Sequence, residues 1–104
     1  ENTTRFLVIG REKIPASGND KTSLLVSAHN RAGALIDILE PFAKHNISLT
    51  SIETRPALPE KWAYVFFIDL EGHIDQPNVA AALDEIRSMV KELRVLGSYP
   101  VAVL

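Results

Sequence analysis

Apolar and polar positions recur with two different periods along the chain, and the switches between them lay out the elements. TRFLVIG, residues 4–10, is β-branched and aromatic and predicts a strand, while REKIPASGNDK, with Pro15, Gly18, Asn19 and Asp20, has the composition of a loop. Over residues 22–28, Leu24, Val26 and Ala28 alternate with Ser23, Leu25 and Ser27, a strand with one drier face. From Arg31 to Lys44 the period lengthens: Leu35, Ile38, Leu39 and Phe42 recur at helical spacing, Asn30 is the predicted N-cap, and His45 with Asn46 ends the run. ISLTSIETR, residues 47–55, has strand propensity, but Leu49 and Ile52 fall on opposite faces. Either both faces are partly covered or a bulge intervenes.

After a turn over Pro56 to Glu60, KWAYVFFIDLEG places Trp62, Tyr64, Phe66, Ile68 and Leu70 on one face and Ala63, Val65 and Phe67 on the other, as in a central strand. A second helix is predicted from Pro77, burying Val79, Leu83, Ile86, Val90 and Leu93, and RVLGSYP, residues 94–100, closes as a last strand. From residue 22 onward the order is β-α-β-β-α-β. Right-handed crossovers then put both helices on one face of an antiparallel sheet, a ferredoxin-like α+β fold. That fold hosts many unrelated functions, so function has to come from particular residues.

Composition narrows the options. The 104 residues, 46% of them hydrophobic, suffice for one domain with a real core. Eleven basic and 13 acidic residues give a net charge of −2 and no cationic surface for nucleic acid or an anionic membrane. Cysteine is absent, which excludes disulfides, a thiol nucleophile and thiolate zinc sites, and fits a cytoplasmic protein. No apolar run exceeds strand length, so neither a signal peptide nor a membrane span is expected. The chain opens ENTTRFLVIG without an initiator methionine, which predicts a segment of something longer.

Most polar residues have ordinary explanations. His29, His45 and His73 lie in different loops or element ends and read as solvated surface. Asp37 with Glu40, and Asp84 with Glu85, fall opposite the apolar stripes and read as solvating charges. Ser27, Ser48 and Ser51 have no organised base nearby in sequence. The aromatics at 64, 66 and 67 lack the basic residues of an RNA-stacking strand, so packing accounts for them.

Two stretches carry more. In NRAGAL, residues 30–35, the small Ala32, Gly33 and Ala34 stand where a helix begins, leaving its unpaired N–H groups and positive dipole end open to a small carboxylate or phosphate. An ordinary structural glycine at a cap fits as well. In IETRP, Glu53 and Arg55 share one side of a strand, as a surface ion pair or as ligand-facing groups, with Glu53 suited to an ammonium. A site that takes both a carboxylate and an amine fits an amino acid.

GAL (Gly33, Ala34, Leu35) followed by ETRP (Glu53 to Pro56) resembles the paired GAL and ESRP motifs of the ACT domain that binds phenylalanine in prephenate dehydratases. NTTRF (Asn2 to Phe6) resembles the N-x-T-R-F motif that ends the dehydratase catalytic domain, and RVLGSYP (Arg94 to Pro100) resembles the family's ending. The resemblance covers essentially the whole chain and is strongest to dehydratases fused to a chorismate mutase. It implies the same βαββαβ fold, with residues 1–21 as the end of the catalytic domain and a linker, and 22–104 as the ACT domain.

It also implies roles. Thr4 corresponds to a catalytic-domain threonine whose partners lie outside this chain. Asn30, Ala32, Gly33, Ala34 and Leu35 would hold phenylalanine's polar end and flank its ring, while Glu53, Thr54, Arg55 and Pro56 of a neighbouring subunit close the pocket in a homodimer. Ala32 stands where proline is common and Thr54 where serine is common, which loosens the loop without removing a needed group. The implied function is phenylalanine-sensing feedback control of the conversion of prephenate to phenylpyruvate, with no cofactor or metal and no catalysis by this chain alone. The alternative is a dimerisation module that senses nothing.

Overall fold

The computed structural model describes residues 15–57 and 63–101. The predicted first strand at residues 4–10, Thr4 and Trp62 lie outside the described residues. Six elements follow in order: β1 (Asp20–His29), α1 (Ala34–Lys44), β2 (Leu49–Pro56), β3 (Ala63–Glu71), α2 (Pro77–Arg87) and β4 (Glu92–Pro100). The strands form one antiparallel sheet in the order β2-β3-β1-β4. This is the ferredoxin-like arrangement that the pattern predicts.

Strand alternation builds the core. Leu24 and Val26 of β1 stand opposite Ile68 and Phe66 of β3, so these four side chains share one face. That face packs against Ile38 and Phe42 of α1 and Val79, Leu83 and Ile86 of α2, all buried. Each such side chain stabilises the fold by about 1.5–3 kcal/mol. Among the described residues no helix packs on the opposite face of the sheet, which holds Leu25, Val65 and Phe67 half-buried.

Helix α1 shows how local chemistry sets its ends. It begins at Ala34, three residues later than predicted, and its N-cap is Gly33 rather than Asn30. Gly33 adopts φ 81°, a left-handed conformation that glycine reaches without steric cost, and no side chain caps the helix. At the other end Asn46, at φ 58°, donates its N–H to the Ala43 carbonyl, and Ile47 donates to that of Phe42 at 2.8 Å. This paired closure is a Schellman motif, with Ile47 packed into the same core as Phe42.

Four further features settle or depart from the predicted pattern. The register between β2 and β3 shifts between Leu49 and Ser51, so a bulge, rather than two covered faces, accounts for the broken alternation. Helix α2 starts at Pro77 as predicted but ends at Arg87, which leaves Val90 in a connection and moves Leu93 into β4, both still packed against the core. His73 is fully buried instead of solvated: its Nδ1 accepts the Asp75 N–H at 3.0 Å, and its own N–H donates to Gln76 Oε1. His45 is partly buried, and its Nε2 meets Glu85 Oε2 at 2.6 Å, so Glu85, with Lys44 at 3.2 Å, ties α1 to α2 instead of merely solvating α2. These partners, His45 first, hold the Glu85 carboxyl below its usual range. Among the described residues no helix is long and apolar enough to cross a membrane.

Candidate effector site at the start of α1

A cavity of about 370 Å³ opens where the β1–α1 connection passes over the sheet, a size within the usual range for small-molecule sites. Asn30, Arg31, Gly33, Ala34, Leu35 and Ile36 form one side, His29 the end of β1, and Thr54, Tyr64 and Phe66 the floor. The register explains the floor. Thr54 stands opposite Phe66, so both point to the helix-bearing side, and Tyr64, two residues along, joins them. The Tyr64 and Phe66 rings lie 6.4 Å apart at 33°, giving the cavity an aromatic wall.

The polar end is backbone. Ala34 donates its N–H to the Arg31 carbonyl at 3.1 Å, and Asp37 is the first residue whose N–H finds a carbonyl four back, that of Gly33 at 3.0 Å. Between them, the N–H groups of Leu35 and Ile36 are first-turn donors that the helix itself leaves unpaired. Leu35 and Ile36 are also unusually exposed for their size, at 39% and 64%. A bare, positive helix end beside an aromatic floor can hold a small carboxylate whose other end is apolar.

Of the sequence-predicted residues, Asn30, Gly33, Ala34, Leu35 and Thr54 come together around this cavity. Ala32 is exposed in the turn, where its carbonyl accepts from Arg31 Nη1 at 3.3 Å. Pro56 is the last residue of β2, opposite Tyr64. Glu53 stands opposite Phe67 and Arg55 opposite Val65, which turns both away from this chain's own cavity. Glu53 instead borders a smaller space of about 110 Å³ on the helix-free face, beside the buried Ser23–Asp69 hydrogen bond of 2.7 Å. Among the described residues no ion pair joins Glu53 to Arg55, and no cluster of His, Asp and Glu could hold a metal ion.

Sequence reasoning missed His29, Arg31, Ile36, Tyr64 and Phe66 as cavity residues. Alternation puts the two aromatics on the core-facing side of β3, but their place in the cavity depends on the register that sets Phe66 opposite Thr54. Asp37 is likewise more than a solvating charge, because it pairs with Arg31 at 2.5 Å across the loop.

A family model for the ACT domain matches residues 22–88. The bifunctional chorismate mutase/prephenate dehydratase of Pseudomonas aeruginosa is 51% identical over 104 residues, which are 100% of this chain and 28% of that protein. The chain therefore spans less than a third of the length of that relative. Two solved structures superpose well. A protein named GqqA, described as a novel type of quorum-quenching acylase, gives a TM-score of 0.84 at 30% identity, covering 89% of this chain and 48% of that one. The prephenate dehydratase of Arthrobacter aurescens, solved in complex with L-Phe, gives 0.79 at 35% identity, covering 88% and 30%. With its four-stranded sheet, its two helices and a family match over residues 22–88, the chain belongs to the ACT domain family and corresponds to the ACT region of chorismate mutase/prephenate dehydratases.

Proposed function

We propose that this chain is a regulatory domain that binds L-phenylalanine in the cavity at the start of α1. Within a longer protein, phenylalanine bound there inhibits the conversion of prephenate to phenylpyruvate. One observation carries the assignment: unpaired first-turn N–H groups and an aromatic floor meet in one cavity, formed by the two stretches that resemble the family's motifs. The L-Phe complex of the Arthrobacter aurescens relative supports the same ligand class.

On this reading the ligand carboxylate lies at the N–H groups of Leu35 and Ile36, and its ring lies over Tyr64 and Phe66. Because Glu53 and Arg55 face away from their own cavity, they serve a cavity in a neighbouring copy, and the working unit is a homodimer with Glu53 offered to the ligand's ammonium. The residues before β1 are then the end of the dehydratase catalytic domain and a linker, with Thr4 the part of that domain carried here; the expected boundary at residue 21 moves back because Asp20 and Lys21 pair within the sheet.

Calorimetric titration of the chain with L-phenylalanine tests the assignment. Saturable binding is expected. No heat and no shift in melting temperature at millimolar phenylalanine would leave the dimerisation module as the better account.

A further inference from the structure

The first turn of α1 carries a carboxylate of its own, close to where the proposed effector places another. Asp37 is paired: Arg31 Nη2 meets its Oδ2 at 2.5 Å, while Arg31 Nη1 reaches the Ala32 carbonyl at 3.3 Å. A void of about 30 Å³ is lined by Arg31 and Asp37 together, whereas only Arg31 of the two also lines the large cavity. Arg31 thus borders both spaces, with its guanidinium on Asp37. Without it, a ligand carboxylate arriving at the helix start would meet the full negative charge of Asp37. With it, the local charge is cancelled, and the dipole and free N–H groups act unopposed.

We propose that Arg31 is a positioning residue of the effector site, which neutralises Asp37 where a carboxylate docks. The two halves of this ion pair then affect affinity with opposite signs. The proposal rests on the phenylalanine assignment above. Arg31 is 54% exposed and Asp37 37%, so solvent screens the pair and each effect is a few-fold rather than orders of magnitude.

The test is a double-mutant cycle read by calorimetry with L-phenylalanine, with circular dichroism melts as the control for folding. Arg31→Gln should weaken binding about 2- to 5-fold, Asp37→Asn should strengthen it by a similar factor, and the double variant should return close to the unsubstituted chain. Arg31→Lys, which keeps the charge without the fork, should bind nearly as tightly as the original. In about 1 M salt, where screening acts over about 3 Å, the differences should collapse. If both single variants weaken binding alike, the pair is only a strap for the loop and the proposal falls, while the phenylalanine assignment stands. Equal affinities throughout, or differences that ignore salt, also overturn it. An unsubstituted chain that does not bind phenylalanine overturns the assignment and the proposal together.

Discussion

Replacing Gly33 perturbs both the turn that builds the cavity and the approach to it, and the structure separates the two effects. Gly33 caps α1 at φ 81° and ψ −1°, where an L side chain costs about 1–2 kcal/mol. A Cβ added there meets nothing within 4 Å, so alanine introduces strain but no clash. The expected loss for Gly33→Ala is about 1 kcal/mol, or roughly 4–8 °C in Tm for a domain of this size. Gly33→Asn should cost less, because asparagine visits the left-handed region more readily, and Gly33→Val should cost most, since its branched Cβ is stiff. Binding should follow a different order. A ligand carboxylate that reaches the N–H groups of Leu35 and Ile36 past Gly33 is obstructed by any side chain, and most by a branched one. Gly33→Val should therefore lower phenylalanine affinity at least tenfold, about 1.4 kcal/mol, while the fold survives. Calorimetry gives the affinities, thermal melts the stabilities, and sedimentation the association state. A folded valine variant with unchanged affinity would mean that the bare helix start serves packing alone. If instead affinity tracked Tm across asparagine, alanine and valine, obstruction would be the wrong cause and the turn's geometry the right one.

Three other outcomes follow from contacts elsewhere. The Asp20 carboxylate accepts from the Ser17 hydroxyl at 2.7 Å and from the N–H groups of Ser17 and Gly18, and the Ser17 hydroxyl above all holds its pKa below 3.8 against the opposing effect of burial. Its stabilising contribution is therefore complete above that ordinary value and drains away as pH falls through the lower folded one. Asp20→Asn should flatten the acid limb of a plot of Tm against pH, and parallel limbs would refute this. Thr22, fully buried, donates to the Gly72 carbonyl at 2.7 Å and receives from Ser98, which in turn accepts the Ile74 N–H at 3.2 Å. Thr22→Val breaks this relay with almost no change of shape and should cost about 1–3 kcal/mol in urea denaturation, whereas a loss under about 0.5 would show that the groups find other partners. Finally, sedimentation at about 20 μM should show a two-fold dimer that tightens with added phenylalanine, consistent with a Kd of about 1 μM or better. A monomer in both conditions would contradict the shared site.

The order of elements was legible because it depends on local periods, and the departures arise where long-range geometry decides. Leu93 continues the spacing of Val79, Leu83, Ile86 and Val90, so nothing local separates a last helical turn from the first residues of β4; pairing with β1, where Leu93 stands opposite Val26, makes the choice. Asn30 carries the side-chain signal of an N-cap, whereas a left-handed glycine cap has no side chain to announce it. His73 is drawn inside by hydrogen bonds to Asp75 and Gln76 that only the folded loop brings together. In the site, the motif residues were readable as short stretches. The aromatic floor was not, because its membership depends on which residue of β3 faces Thr54, and that register also absorbs the bulge after Leu49.

The same register bears on how an effector could act at a distance. β2 lies at one edge of the sheet, and its alternation sends Thr54 to one side and Glu53 and Arg55 to the other. A single strand thus contributes to two spaces, the cavity at the start of α1 and the smaller one that Glu53 borders. An edge strand also presents unpaired backbone groups, which a second copy can meet. If two chains complete each phenylalanine site, linkage requires that each phenylalanine bound strengthen the dimer by the same factor by which dimerisation strengthens its binding. The apparent affinity must then rise with protein concentration across the dimer midpoint. A site contained within one chain would give the same affinity at every concentration, and the regulatory signal would need a path that does not pass through β2.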